Sequence, residues 1–299
     1  MLVKSSWWRP LRGDPMGWLL DYDNPAVHYY VLTDLLTRHT DVPAVRDARR
    51  SLASNPIAKR LLERHIHDSG WGPTADAKRA TVQATVDHLV LLAELGAPGN
   101  DTRIATASDW ALEQMQTEDG DYEVPGAFLW ALLRFRYEED LRVRRAVKRA
   151  AKYLVARGTP EEPTQRTAWD SLPYVWALLQ LPIEERSRGI EAAIETGLAE
   201  IERLDWTNLP PERLAFGFPH LGEPDLLFAL RVLAEAQRVT RDPVKPGIGV
   251  MLQYQNERGR WPLVRNHSDR LLVVAEEVGP ESKWSTLNAL RALQATEVL

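Results

Sequence analysis

The chain has 299 residues, 44% hydrophobic and 26% charged, with a formal net charge of -5. That length is ample for a sizeable core in one large domain or two, and the mild acidity without a basic tract gives no support to a nucleic-acid partner. The chain has no Cys, which excludes a disulfide framework, a thiolate nucleophile and Cys-ligated zinc.

The N-terminal MLVKSSWWRPLRGDP lacks an apolar signal core. The longest apolar runs, such as Leu89 to Ala93, are too short to span a bilayer. These features predict a cytoplasmic protein without a transmembrane segment, and they leave its oligomeric state open. Residues 1–23 read as a Trp- and Pro-rich arm packed on the body by Trp7, Trp8 and Trp18. A single domain over 24–299 is expected to follow. Asn24 and Pro25 supply a cap and a first-turn proline, and the helix they start runs to about Arg38. Val42 to Ser51 and Pro56 to His65 read as shorter helices, the second capped by Asn55.

Asp68-Ser-Gly-Trp-Gly-Pro73 is a turn, and Ala75 to Leu95 is a strongly apolar helix closed by Gly96. A helix from Asp101 or Thr102 to Gln116 leads to a second turn, Glu118 to Tyr122, and to the apolar helix Gly126 to Tyr137. Leu141 to Arg157 is amphipathic with a basic face, and Thr159 to Thr167 reads as a loop. Leu172 to Leu181 and Ile183 to Leu204 are helical, whereas 205–224 is irregular. Asp225 to Val239 is an apolar helix. Pro243 to Gln255 leads to the turn Asn256 to Gly259, and the last apolar helix begins at Trp284. Between them, Trp261 to Val264 and Leu271 to Val274 are β-branched-rich and predict a small β-hairpin.

Gly70, Gly120 and Gly259 mark related turns, 50 residues (70 to 120) and 139 residues (120 to 259) apart, the latter close to three units of about 46. A period in that range predicts an all-α array of about six helix pairs, each too small to bury its apolar face alone. Six pairs extend as a solenoid or close into an α/α ring with the more apolar helices inside. Gln116-Thr-Glu-Asp-Gly-Asp-Tyr122 and Gln253-Tyr-Gln-Asn-Glu-Arg-Gly-Arg-Trp261 resemble the Gln-Trp repeats of the squalene cyclase and prenyltransferase β-subunit superfamily, and Asp68-Ser-Gly-Trp71 resembles the second half of that repeat. DNPAVHYYVLTDLL, FGFPHLGEPDLLFALRVL and KWSTLNALRAL also resemble a broad group of bacterial prenyltransferase-repeat proteins. The resemblance implies an α/α toroid with an apolar central cavity for an isoprenoid-like small molecule.

The chemistry of that superfamily is incompletely represented. Class II cyclases protonate an alkene through the middle Asp of Asp-x-Asp-Asp, and the nearest match, Asp21-Tyr-Asp-Asn24, ends in Asn. Asp23 reads either as a proton donor or, preferably, as part of a helix cap. Protein prenyltransferases hold zinc through Asp, Cys and His, a set that a chain without Cys cannot assemble, so no metal and no cofactor are expected. His65 and His67 beside Asp68 do not share a helix face and read as structural. The loop Phe216 to Asp225 carries His220, Glu223 and Asp225 at the entrance of an inner helix. It reads as a rim site for acid–base work or for binding a polar head group, with Glu223 a candidate ligand contact, or as a loop in which Glu223 or Asp225 caps the helix. Asp170 joins that rim by repeat logic. Of the eleven Trp, Trp71, Trp130, Trp169 and Trp284, with Tyr174 and Phe218, are candidate ligand-lining aromatics. A catalytic chain would be a metal-independent lyase, isomerase or transferase. The alternative is a non-catalytic helical scaffold binding a protein or a small ligand. A cavity rimmed by His220, Asp225 and Asp170 favours the first, and a centre plugged by large side chains favours the second.

Overall fold

The computed structural model describes residues 6–157 and 165–297. The expected loop at 159–167 therefore lies largely outside the described residues, and Gln165 onward is already helical. The chain is mostly helical, with one two-stranded antiparallel sheet near the C-terminus. In order the helices are α1 (Met16–Leu19), α2 (Pro25–Tyr30), α3 (Pro43–Ala53), α4 (Pro56–Leu62), α5 (Val82–Glu94), α6 (Thr102–Gln114), α7 (Gly126–Arg134), α8 (Leu141–Arg157), α9 (Gln165–Leu178), α10 (Arg188–Glu202), α11 (Pro211–Leu214), α12 (Leu226–Glu235), α13 (Lys245–Gln253) and α14 (Lys283–Gln294). The strands are β1 (Trp261–Leu263) and β2 (Gly279–Ser282).

Local chemistry sets most helix starts. Asn24 Oδ1 accepts the Val27 N–H at 3.1 Å, with Pro25 in the first turn. Asn55 accepts from Ile57 and Ala58, and Asp101 from Arg103. Each such acceptor satisfies a backbone donor that the first turn leaves unpaired. The helix from Asn24 changes to a π-helical turn over Val31–Leu35. The α5 helix starts at Val82 rather than near Ala75, because Thr81 provides the cap and the preceding residues fold into turns.

Six helices rich in buried residues, α2, α5, α7, α9, α12 and α14, follow one another by direct contact: α5 on α7, α7 on α9, α9 on α12, α12 on α14, and α14 on α2. The more exposed α6, α8, α10 and α13 pack against this set and leave one face to solvent. A Cβ on Gly126 would meet the Pro173 carbonyl carbon at 2.7 Å, so the missing side chain allows α7 its close approach to α9.

The repeated turns share one hydrogen-bond pattern. Thr117 N–H bonds to Asp121 O and Gly120 N–H to Thr117 O; Asn256 N–H bonds to Arg260 O and Gly259 N–H to Asn256 O. Ile66 N–H to Gly70 O and Ser69 N–H to Ile66 O repeat it. Ser69, not Gly70, is thus equivalent to Gly120 and Gly259, a one-residue correction to the expected register. Trp71 and Trp261 then match as well. Their indole N–H groups donate to Leu61 O at 2.9 Å and Met251 O at 2.8 Å, and their backbone N–H groups to Thr85 and Thr286 hydroxyls at 3.0 Å.

The expected hairpin is corrected in its second strand. β1 pairs with Gly279–Ser282, in the register Trp261 to Ser282 and Leu263 to Gly279, and not with Leu271 to Val274. The latter segment gives its backbone to other groups. Leu272 N–H donates to His88 Nε2 at 2.9 Å, and Leu272 O accepts from Arg64.

The N-terminal residues are fastened to the last turn. Trp7 is buried, and Trp7 N–H donates to Glu297. Arg12 and Pro10 share hydrogen bonds with Gln255.

Candidate functional site

The middle of the six-helix set is aromatic. Trp130 stacks on Trp176 with ring centroids 3.8 Å apart, Phe218 on Trp284 at 3.9 Å, and His220 on Phe228 at 4.5 Å. Trp176 meets Phe228 edge-on at 4.8 Å. All are buried. Such pairs combine a large apolar area with favourable ring electrostatics. The candidate ligand-lining residues Trp130, Phe218 and Trp284 are therefore packed on other rings. Trp71 is likewise enclosed, against His88 and His65, and buried Trp169 lies under the Arg213 guanidinium at 4.7 Å.

One polar cluster is set into this interior. Glu94, at the end of α5, accepts from His220 Nδ1 at 2.7 Å and from Arg231 of α12 at 3.1 Å. All three are buried. Burial alone would push the Glu94 carboxyl up, but the Arg231 guanidinium and His220 outweigh it and hold the group well below the usual carboxylate range. A buried carboxylate without such partners would not stay charged. His220, expected at a rim, is inside the protein, 4% exposed, and its Nε2 has no partner among the described residues.

Above this cluster, at the carboxyl ends of the same helices, lies a pocket of about 310 Å³. Tyr30 and Asp34, Glu94, Trp130 and Arg134, Gln180, Arg231 and Glu235, Arg291 and Gln294 line it, so every one of the six helices or the residues just after it contributes. Arg291 is bound to Asp34 through Nε at 2.9 Å. Glu235 accepts from Arg231 at 3.2 Å, Gln180 at 3.2 Å and the Trp176 indole at 3.4 Å. Burial pushes the Tyr30 phenol up, against the pull of Arg134 and Arg291, so its O–H remains a donor at neutral pH.

A second pocket, of about 420 Å³, opens at the amino ends of α5 and α7, beside α9, and contains Asp170 and Tyr174 with Asp87, Tyr153, Gly222 and Arg270. Asp170 is exposed there, and Tyr174 lies 4.7 Å from Tyr153. The remaining predicted residues are separate. Asp225 is buried and caps α12, accepting Phe228 N–H at 2.9 Å and Gly217 N–H at 2.7 Å; burial pushes its carboxyl up. Glu223 is half-exposed and bridges Arg265 and Arg270 at 3.0 Å each. Asp23 is exposed and paired with Lys283, while Asn24 performs the capping. The structure thus sets Asp23 and Asp170 apart from each other and from His220 and Asp225, which lie near enough for His220 to pull the Asp225 carboxyl down against its burial. Among the described residues no group of three or more His, Cys, Asp or Glu could hold a metal ion, and no described helix is long and apolar enough to cross a membrane.

The carboxyl-end pocket escaped the sequence reading, although its signal is there. Ala131-Leu-Leu-Arg134, Ala229-Leu-Arg231 and Ala289-Leu-Arg291 place an Arg shortly after an Ala-Leu step in helices whose residues are mostly buried. A charge recurring within buried repeats requires a common polar environment. No protein-family model matches the chain, and no curated protein matches it.

Proposed function

We propose that the chain closes as an α/α toroid and acts as a non-catalytic binding module, with a small ligand held at the carboxyl ends of its inner helices. Closure is supported by the succession of contacts from α5 round to α2 and by the carboxyl-end pocket, which Tyr30 of α2 and Glu94 of α5 line together. The repeated turns support kinship with the squalene cyclase and prenyltransferase superfamily. The observation that carries the binding reading is the packed aromatic centre, Trp130 on Trp176 and Phe218 on Trp284. An isoprenoid chain in the centre, as the resemblance implies, requires these stacks to part. The four candidate acids and bases share no common site.

The test is a ligand-observed NMR fragment screen of the wild type and of Gln294→Trp, a substitution that fills the carboxyl-end pocket. Hits are expected to bind the wild type and to lose saturation transfer in the variant. Farnesyl and geranylgeranyl diphosphate are expected to remain unchanged on incubation. Conversion of either, or hits indifferent to Gln294→Trp, would reject the reading.

A further inference from the structure

The carboxyl-end pocket contains three guanidinium groups, and their partners are unequal. Arg231 is held by Glu94 at 3.1 Å and Glu235 at 3.2 Å. Arg291 is held by Asp34 and by Asn288 Oδ1, at 2.9 Å each. Arg134, the last residue of α7, has no carboxylate within ion-pair distance among the described residues. Its neighbours are the Trp130 ring, 6.0 Å from its guanidinium carbon, and the Tyr30 hydroxyl, with the Glu235 carboxylate and the Arg231 guanidinium acting on it from beyond ion-pair distance.

The pocket's acids are already engaged. Glu94 is shared by His220 and Arg231, Glu235 by Arg231, Gln180 and Trp176, and Asp34 by Arg291 and the Thr33 hydroxyl at 2.6 Å. Spare capacity therefore lies with donors: the fork of Arg134, the Tyr30 O–H, and the indole N–H of pocket-lining Trp130, which is buried with no acceptor. Guanidinium presents parallel N–H donors that match the two oxygens of a carboxylate or phosphate. A cation would find every carboxylate occupied. The volume of about 310 Å³ stands at the small end of ligand pockets, the size of a compact metabolite and not of a macromolecular segment.

We propose that this pocket binds a small organic anion, a carboxylate or a phosphate monoester, with the anionic group on the Arg134 fork and the Tyr30 hydroxyl. The proposal rests on the carboxyl-end pocket being the binding site, and adds the chemical class of what it holds. Arg134 also lies where a cation complements the carboxyl end of the α7 dipole. A purely structural Arg134 would serve that end alone, and the variants separate the two roles.

The experiment is isothermal titration calorimetry at constant ionic strength on the full chain, with malonate, inorganic phosphate and spermidine as separate probes. The wild type is expected to bind malonate or phosphate saturably at one site, and the better of the two identifies the carboxylate or the phosphate class. Arg134→Gln should weaken that binding about tenfold or more, the loss of one charge-assisted pair. Arg134→Lys keeps the helix-end charge without the fork and should also weaken it. Lys152→Gln, exposed on α8, should bind as the wild type does. Binding unchanged in both Arg134 variants, or no saturable anion binding, overturns the proposal. Spermidine binding abolished by Gln294→Trp would sink the anion while leaving the pocket as the binding site. Failure of all three probes, together with fragment hits indifferent to Gln294→Trp, would sink both.

Discussion

At the scale of single residues, the interior positions depend on protonation states fixed by their neighbours. His88 is fully buried; its Nδ1 faces Ala84 O and its Nε2 accepts the Leu272 N–H. Burial pushes its pKa down from 6.5 to about 4. The unfolded chain therefore binds the proton more readily between those values, so the stabilisation is present above pH 6.5 and lost as pH falls toward 4. The shift corresponds to about 3 kcal/mol. Acid-side denaturation midpoints should fall over this window in the wild type, and His88→Gln should flatten the slope. His267, also pushed down to about 4 by burial, adds to the slope in the same direction and should keep part of it in that variant. Glu94 should behave as half of a buried pair. Glu94→Gln leaves Arg231 short of its main counter-charge and should cost about 3–5 kcal/mol in urea titrations, whereas Glu94→Met with Arg231→Met should recover much of that loss.

At the scale of elements, caps and turns fasten the helices to the segments between them. Asp225 satisfies two backbone donors, Phe228 N–H and Gly217 N–H, so it joins α12 to the loop before it. Asp225→Ala should lower stability by about 2 kcal/mol or more, measured by thermal and chemical denaturation, because a buried cap and a loop donor are both left open. A catalytic Asp225 would instead leave the melting temperature nearly unchanged on substitution. Two glycines offer a matched comparison. Gly120 and Gly259 both have positive φ, +75 and +70, but a Cβ on Gly120 meets nothing, whereas on Gly259 it lies 2.5 Å from Gly13 O. Gly120→Ala should cost about 1 kcal/mol of backbone strain. Gly259→Ala should cost more and loosen the N-terminal residues, visible as faster proteolytic cleavage near residue 13.

At the scale of the whole molecule, the aromatic stacks couple helices that are far apart in the chain. The stacks draw on α7, α9, α12, α14 and the loop before α12, so truncating one ring should be felt throughout. Trp176→Ala removes the partner of Trp130 and Phe228 and the indole donor to Glu235. It should destabilise by about 3–5 kcal/mol in chemical denaturation. A smaller loss would indicate a centre able to collapse or to admit solvent.

What the sequence determined by itself was local. Asn24 with Pro25, Asn55 with Pro56, and Asp101 specify helix starts because the cap and the donor it satisfies are two or three residues apart. Turn glycines and the alternation of apolar and polar helices revealed the repeat for the same reason, since each unit must bury one face on its neighbour. The tertiary structure alone decided which residues share a site. Glu94 is 126 residues from His220 and 137 from Arg231, and nothing local to either specifies the pairing. His220, Asp225 and Asp170 were grouped by their places at helix entrances, yet one faces the core, one caps a helix and one opens to a pocket. The loop from Phe216 folds inward so that Phe218 stacks on Trp284. The side chains that converge at the carboxyl ends come from six helices spread over most of the chain, and only their packing makes neighbours of them.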